Sequence, residues 1–196
     1  MGKKLTVYQT LKNKDNPEEV EMHGPYKCNW SNSWLGEGYY FWEKFLNSAH
    51  WWGEVHCANN YFICEANCIK TDENCFDLVG DTEHMDIFSN AIDIMKAEGI
   101  MDKKTTVPRV LKYLKDDLKL FKYEATRAVG YTSIGRNKSA KYIKRMLFEP
   151  TKRDKADQFI DYKPPIQICF YKQTSMGLNG YSIVFPLEYS NVDYVI

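Results

Sequence analysis

Residues 34–52, opening Trp34-Leu35-Gly36, constrain the fold more than any other part of the chain. Gly36 and Gly38 stand two apart and run directly into an aromatic strand-like segment, Tyr39-Tyr40-Phe41-Trp42, and Ser48-Ala49-His50-Trp51-Trp52 follows after one short interval. Glycine allows a backbone to turn with positive φ or to approach another chain closely. Aromatic side chains alternating along a strand place flat faces on both sides of a sheet. The spacing predicts strand, turn and helix over residues 38–52, with Tyr40 and Trp51 as two walls of a shallow aromatic clamp beside the glycines.

The rest of the chain gives a mixed pattern. Leu5–Leu11 alternates apolar and polar residues and reads as a first strand. Asn16-Pro17-Glu18-Glu19 opens one helical turn, which Met22-His23-Gly24-Pro25 breaks. Glu43–Trp52 reads as a helix, Asn60–Ile69 and Cys75–Val79 as strands. Asp81 or Thr82 and Thr106 cap two helices, Lys138–Phe148 forms a third, and 166–171 and 181–185 close the chain as strands. Strands at both ends of a helical middle predict an α+β fold: one domain over 1–196 with a helical insertion at about 81–158. A Gly-x-Gly-x-x-Gly turn and a Gly-Lys-Thr phosphate loop are both missing, so a dinucleotide would have to bind by another route.

The six cysteines (Cys28, Cys57, Cys64, Cys68, Cys75, Cys169) lie in a sequence whose start turns polar at once, so reduced thiols in a cytoplasmic protein are expected. Cys64-x3-Cys68 lacks the tight spacing of a zinc pair, and no metal is expected. No apolar run approaches the roughly 20 residues that span a bilayer. Net charge is zero but uneven: between Arg109 and Lys155 about three bases appear for each acid. With Lys138, Lys141, Lys144 and Arg145 on the outer face of the expected third helix, that stretch suits an anionic partner such as RNA or DNA. His50, His56 and His84 read as structural or surface residues.

Gly36-x-Gly38-x-Tyr40-Phe41 followed by Ser48-Ala49-x-Trp51 resembles the second motif of the diphtheria-toxin and poly(ADP-ribose) polymerase branch of the ADP-ribosyltransferases, whose members carry a His-Tyr-[Glu/Asp/Gln] triad on three strands. The flanking Trp-Leu-Gly and Phe-Trp-Glu are similar to bacterial and phage-associated, toxin-like members. The resemblance covers about 20 residues. It implies a split two-sheet core that binds NAD in a cleft, with the helical insertion between the middle and last strands. Gly36, Gly38, Tyr40, Ala49 and Trp51 would then lie around the nicotinamide, whose cationic ring two aromatic faces attract.

Tyr40 takes the triad tyrosine's position. The third position falls on Gln167, which opens a late strand, or on Glu188. The first falls on Gln9, which has the strand context, or on His23, which has the His-Gly dipeptide. The function implied is mono-ADP-ribosyl transfer from NAD to a nucleic acid or protein, of toxin or antiphage-defence type, with an antitoxin protein as a further partner. The alternative is a catalytically inactive module of the same fold that binds nucleic acid, ADP-ribose or a protein. An NAD hydrolase differs only in giving the ribose to water.

Overall fold

The structure, a computed structural model, describes residues 2–130, 144–149 and 158–190. It is α+β. Nine strands, β1 (Lys3–Lys12), β2 (Tyr39–Glu43), β3 (Tyr61–Lys70), β4 (Cys75–Asp77), β5 (Ala125–Val129), β6 (Arg145–Glu149), β7 (Gln158–Asp161), β8 (Ile166–Phe170) and β9 (Asn179–Phe185), accompany four helices among the described residues: α1 (Pro17–His23), α2 (Leu46–His56), α3 (Thr82–Ala97) and α4 (Val107–Lys112). The order in the main sheet is β4-β5-β8-β2-β1-β3-β9, and β6 and β7 form a separate hairpin. In the main sheet only β4 and β5 pair in parallel.

Paired residues share a face of a sheet, so the registers sort the side chains. Phe76, Thr126, Ala128, Gln167, Cys169, Tyr40 and Trp42 project to one side. There α3, α4 and the helical turn Tyr113–Asp117 that continues α4 cover Phe76, Cys169 and Tyr40 with Ala91, Met95, Leu111 and Leu114, and α2 covers Trp42 with Ala49. Val7, Gln9, Phe41, Glu43, Ala125, Arg127, Ile168 and Phe170 project to the other side. Here Leu5, Val7, Phe41, Cys68, Cys75, Ile168 and Phe170 form one apolar cluster.

Lys70 at the end of β3 reaches Asp77 of β4 at 2.9 Å, although β5, β8, β2 and β1 lie between those strands in the sheet order. Accumulated strand twist therefore curls the sheet, with this second face inside. A buried ion network closes its end. Arg127 donates to both oxygens of Glu43 (2.6 and 3.1 Å) and to Asp77 (2.9 Å). Burial alone would raise the Asp77 carboxyl, but hydrogen bonds from Lys70 and Arg127 hold it down at about 2.

Several expected elements differ. The anticipated third helix, Lys138–Phe148, falls partly outside the described residues, and its described end is a strand: Arg145 pairs with Asp161 and lies over the Phe159 ring. Cross-strand contacts to β7 thus override a helical spacing of Ala140, Ile143 and Leu147. The insertion at about 81–158 is helical only to Asp117 among the described residues, because β5 enters the main sheet. Helix α2 begins at Leu46 and not at Glu43, which ends β2 as a partner of Arg127. Helix α1 continues through Met22 to His23. Asp81 caps α3 as expected, accepting from the backbone of Glu83 and His84. No helix among the described residues is long and apolar enough to cross a membrane.

Candidate functional site

Tyr40 is the hub of the glycine segment. Its hydroxyl donates to the carbonyl of Gly36 (2.6 Å) and accepts from the backbone N–H of Leu35 (2.8 Å). Gly36 has φ +88°, a conformation that a residue with a Cβ adopts at a cost. Tyr40 therefore pins a turn that only glycine makes easily. Burial pushes its phenol well above the ordinary tyrosine range. Gly38 serves a different need: a Cβ there would stand 2.4 Å from Cys169 Sγ and 2.6 Å from the Phe170 carbonyl, so glycine lets β2 close onto β8.

The turn that Tyr40 pins carries Trp34 and Leu35 into the wall of a groove of about 620 Å³. The lining comes from Ser31–Leu35, from Leu78, Phe88 of α3 and Thr106–Pro108 at the start of α4, and from Ala128–Gly130 and Gln167 at the sheet. The volume lies within the range of about 300–1,000 Å³ usual for small-molecule sites. Among the described residues, none that lines it carries an ionisable side chain. Trp34 is held edge-on against Trp42 (6.5 Å between centroids) and over Gly130, yet stays 40% exposed.

Gln167 is the polar anomaly of this groove. It is only 6% exposed, and its Oε1 is buried and accepts no hydrogen bond. An acceptor left in this way costs about 1–3 kcal/mol, so its retention calls for an explanation.

The other expected site residues fall in several places. Tyr40 and Gln167 project to the same side of neighbouring strands, with Tyr40 opposite Cys169 and Trp42 opposite Gln167. Gln9 projects to the inner face. Its amide donates to the Tyr26 carbonyl (2.8 Å), and its Oε1 accepts from the Tyr26 N–H (2.9 Å) and the Tyr181 hydroxyl (2.8 Å). His23 is exposed at the end of α1. The two competitors for the first position thus belong to one unit, because Gln9 holds the segment that follows His23.

Glu188 is exposed in a 3-10 turn, Leu187–Tyr189, rather than on a strand. Ala49 is fully buried and its carbonyl accepts from Thr10 Oγ1 at 2.9 Å. Trp51 is half-buried on α2 and meets the Trp42 ring edge-on at 5.9 Å. The five tryptophans make one connected group: Trp42 touches Trp34, Trp51 and Trp52, and Trp52 touches Trp30. Lys138 and Lys141 lie outside the described residues. Lys144 is half-buried, and Arg145 forks onto Asp161 at 2.6 and 2.8 Å.

Trp34 opens the stretch that the sequence marks as most informative, but nothing in the sequence placed Phe88 or Thr106–Pro108 beside it. The chain matches no family model, no curated protein and no solved structure.

Proposed function

We propose that the chain is an NAD-dependent mono-ADP-ribosyltransferase whose reacting centre lies at Gln167, in the groove beside Trp34. The observation that carries this reading is the unpartnered, buried Gln167 carbonyl in a groove whose described lining holds no ionisable side chain. Two others support it. Gln167 and Tyr40, proposed for two of the motif positions, sit on the neighbouring strands β8 and β2 and project to the same side. The glycine-aromatic motif builds the turn that forms one groove wall.

In this reading Gln167 Oε1 accepts a hydrogen bond from a hydroxyl of the nicotinamide ribose. It also turns the negative end of its amide dipole toward a centre that becomes positive as the bond to nicotinamide breaks. Tyr40 acts through the backbone, holding Leu35 and Trp34 in place. An amide supplies less stabilisation than a carboxylate would, so slow, single transfer is expected. A cytoplasmic toxin or defence role, with an antitoxin partner, fits such an activity.

Labelled NAD incubated with the protein and a cell extract tests the reading. Label on macromolecules, lost in Gln167→Met, is the expected result. Free ADP-ribose would identify a hydrolase, and intact NAD would remove the enzymatic reading.

The binding-module alternative has its own support. The Tyr40 hydroxyl and the Gln9 amide are both engaged within the fold, and among the described residues none that lines the groove is a general acid or base. Under that reading the groove binds without turnover.

A further inference from the structure

Two residues that line the groove are tied to each other through one imidazole. Leu78 follows β4 directly, and Phe88 stands one turn after His84 on the same face of α3. His84 is buried, with the rings of Phe76 and Tyr123 against it at 5.1 and 4.8 Å between centroids. Its Nδ1 accepts the backbone N–H of Asp77, the last residue of β4, at 3.0 Å. The bond joins the end of the strand to the first turn of the helix that follows it.

A backbone N–H can only donate. Nδ1 therefore carries no proton here, and the ring's proton sits on Nε2. The same Nδ1 lies 3.3 Å from Asp81 Oδ2. Asp81 uses its other oxygen, Oδ1, to cap α3, accepting from the N–H groups of Glu83 (3.0 Å) and His84 (3.1 Å). Two partners of opposite demand thus meet one nitrogen. The neutral ring satisfies the Asp77 N–H. A proton on Nδ1 would face that N–H head-on and suits Asp81 Oδ2 instead. Both partners are already in place, so the exchange needs little movement.

The neighbouring titratable groups hold their charge over the range in which histidines titrate. Against burial, hydrogen bonds from Lys70 and Arg127 hold the Asp77 carboxyl at about 2, so it stays ionised. Burial and the Asp81 carboxylate push the Tyr123 phenol up, so it stays protonated. Glu83, beside His84 on α3, is exposed. Of these side-chain types, imidazole is the one that changes charge between about pH 5 and 8.

We propose that His84 is a pH-actuated clasp between β4 and α3. Neutral, it holds the Asp77 N–H and fixes Leu78 relative to Phe88. Protonated at Nδ1 by water, it turns to Asp81, and that part of the groove loosens. The clasp does not depend on the transferase reading or on what the groove binds.

Nuclear magnetic resonance on the full chain without ligand, between about pH 5 and 8, tests it. The His84 ring, Asp77 amide and Leu78 methyl resonances should move together with one midpoint. Corrected for the intrinsic effect of pH, the Asp77 amide should lose about three- to tenfold of its protection from hydrogen exchange, the worth of one hydrogen bond. Asp81→Asn keeps a helix cap but removes the charge that receives the protonated ring, so the same changes should need a more acidic solution. His84→Asn keeps a neutral acceptor beside the Asp77 N–H, and the Asp77 and Leu78 resonances should then stay fixed.

An Asp77 amide that holds its position while the His84 ring titrates would overturn the inference. So would a Leu78 signal that does not follow, a response unchanged in Asp81→Asn, or a His84 ring that stays neutral down to about pH 5. Asp81→Asn decides the matter even if His84→Asn fails to fold, because it leaves the packing of the ring intact.

Discussion

Replacing Gln167 by methionine separates a site residue from a structural one. In the free protein the Gln167 carbonyl is buried and accepts no hydrogen bond, which costs about 1–3 kcal/mol. Methionine has similar length and no strong polar atom, and its flexibility limits the packing loss to about 1 kcal/mol. Gln167→Met should therefore leave stability unchanged or raise it by up to about 2 kcal/mol, while abolishing ligand binding. The assay is urea unfolding at neutral pH. A gain of 1 kcal/mol moves the thermal midpoint by roughly 2–4 °C in a chain of this size, and the urea midpoint by about 0.3–1 M. Loss of more than about 1 kcal/mol would refute the reasoning, because it would mean that the carbonyl is bonded in solution and belongs to the fold.

The inner face gives predictions of opposite sign. Arg127→Met strips the fork from Glu43 and one bond from Asp77, leaving buried carboxylates behind, so chemical denaturation should register a loss of about 3–5 kcal/mol. The Asp77 carboxyl is held at about 2 in the fold, against about 3.9 in an unfolded chain. Its contribution is therefore present above pH ~4 and lost as pH falls from there toward ~2. Stability measured across that window should fall steeply in the wild type and less steeply in Arg127→Met. Gly38→Ala forces a methyl against Cys169 Sγ and the Phe170 carbonyl and should lower the unfolding midpoint by the equivalent of about 1–3 kcal/mol. A neutral result there would mean that β2 and β8 approach less closely than described.

Strong local periodicity made much of the fold legible in the sequence. Strands β1 and β3 alternate in residue character, Asp81 announces α3 at its N-cap, and Pro164-Pro165 precedes β8. Where the signal lay in tertiary pairing, it failed. β5, Ala-Thr-Arg-Ala-Val, has little apolar character of its own and is a strand because β4 and β8 supply partners on both sides. β6 carries apolar residues at a spacing that also fits a helix, and its pairing partner arrives nine residues later.

Motif and strand context single out Tyr40 and Gln167, which the structure puts on one side of neighbouring strands, with only Gln167 lining the groove. The sequence could not tell that Gln9 faces the opposite side, because a one-residue change in register exchanges the two faces of a strand. Nor could it tell that Trp42, rather than a hollow, packs against Trp51. Of the two uses that a glycine pair allows, positive φ and close approach, Gly36 shows the first and Gly38 the second, against β8.

Calorimetric titration of NAD into the wild type and into Gln167→Met is the most direct test of the proposed site. Saturable binding by the wild type, lost in a variant that is at least as stable, is the result that the groove predicts. No binding by the wild type, or equal affinity in both proteins, would contradict it.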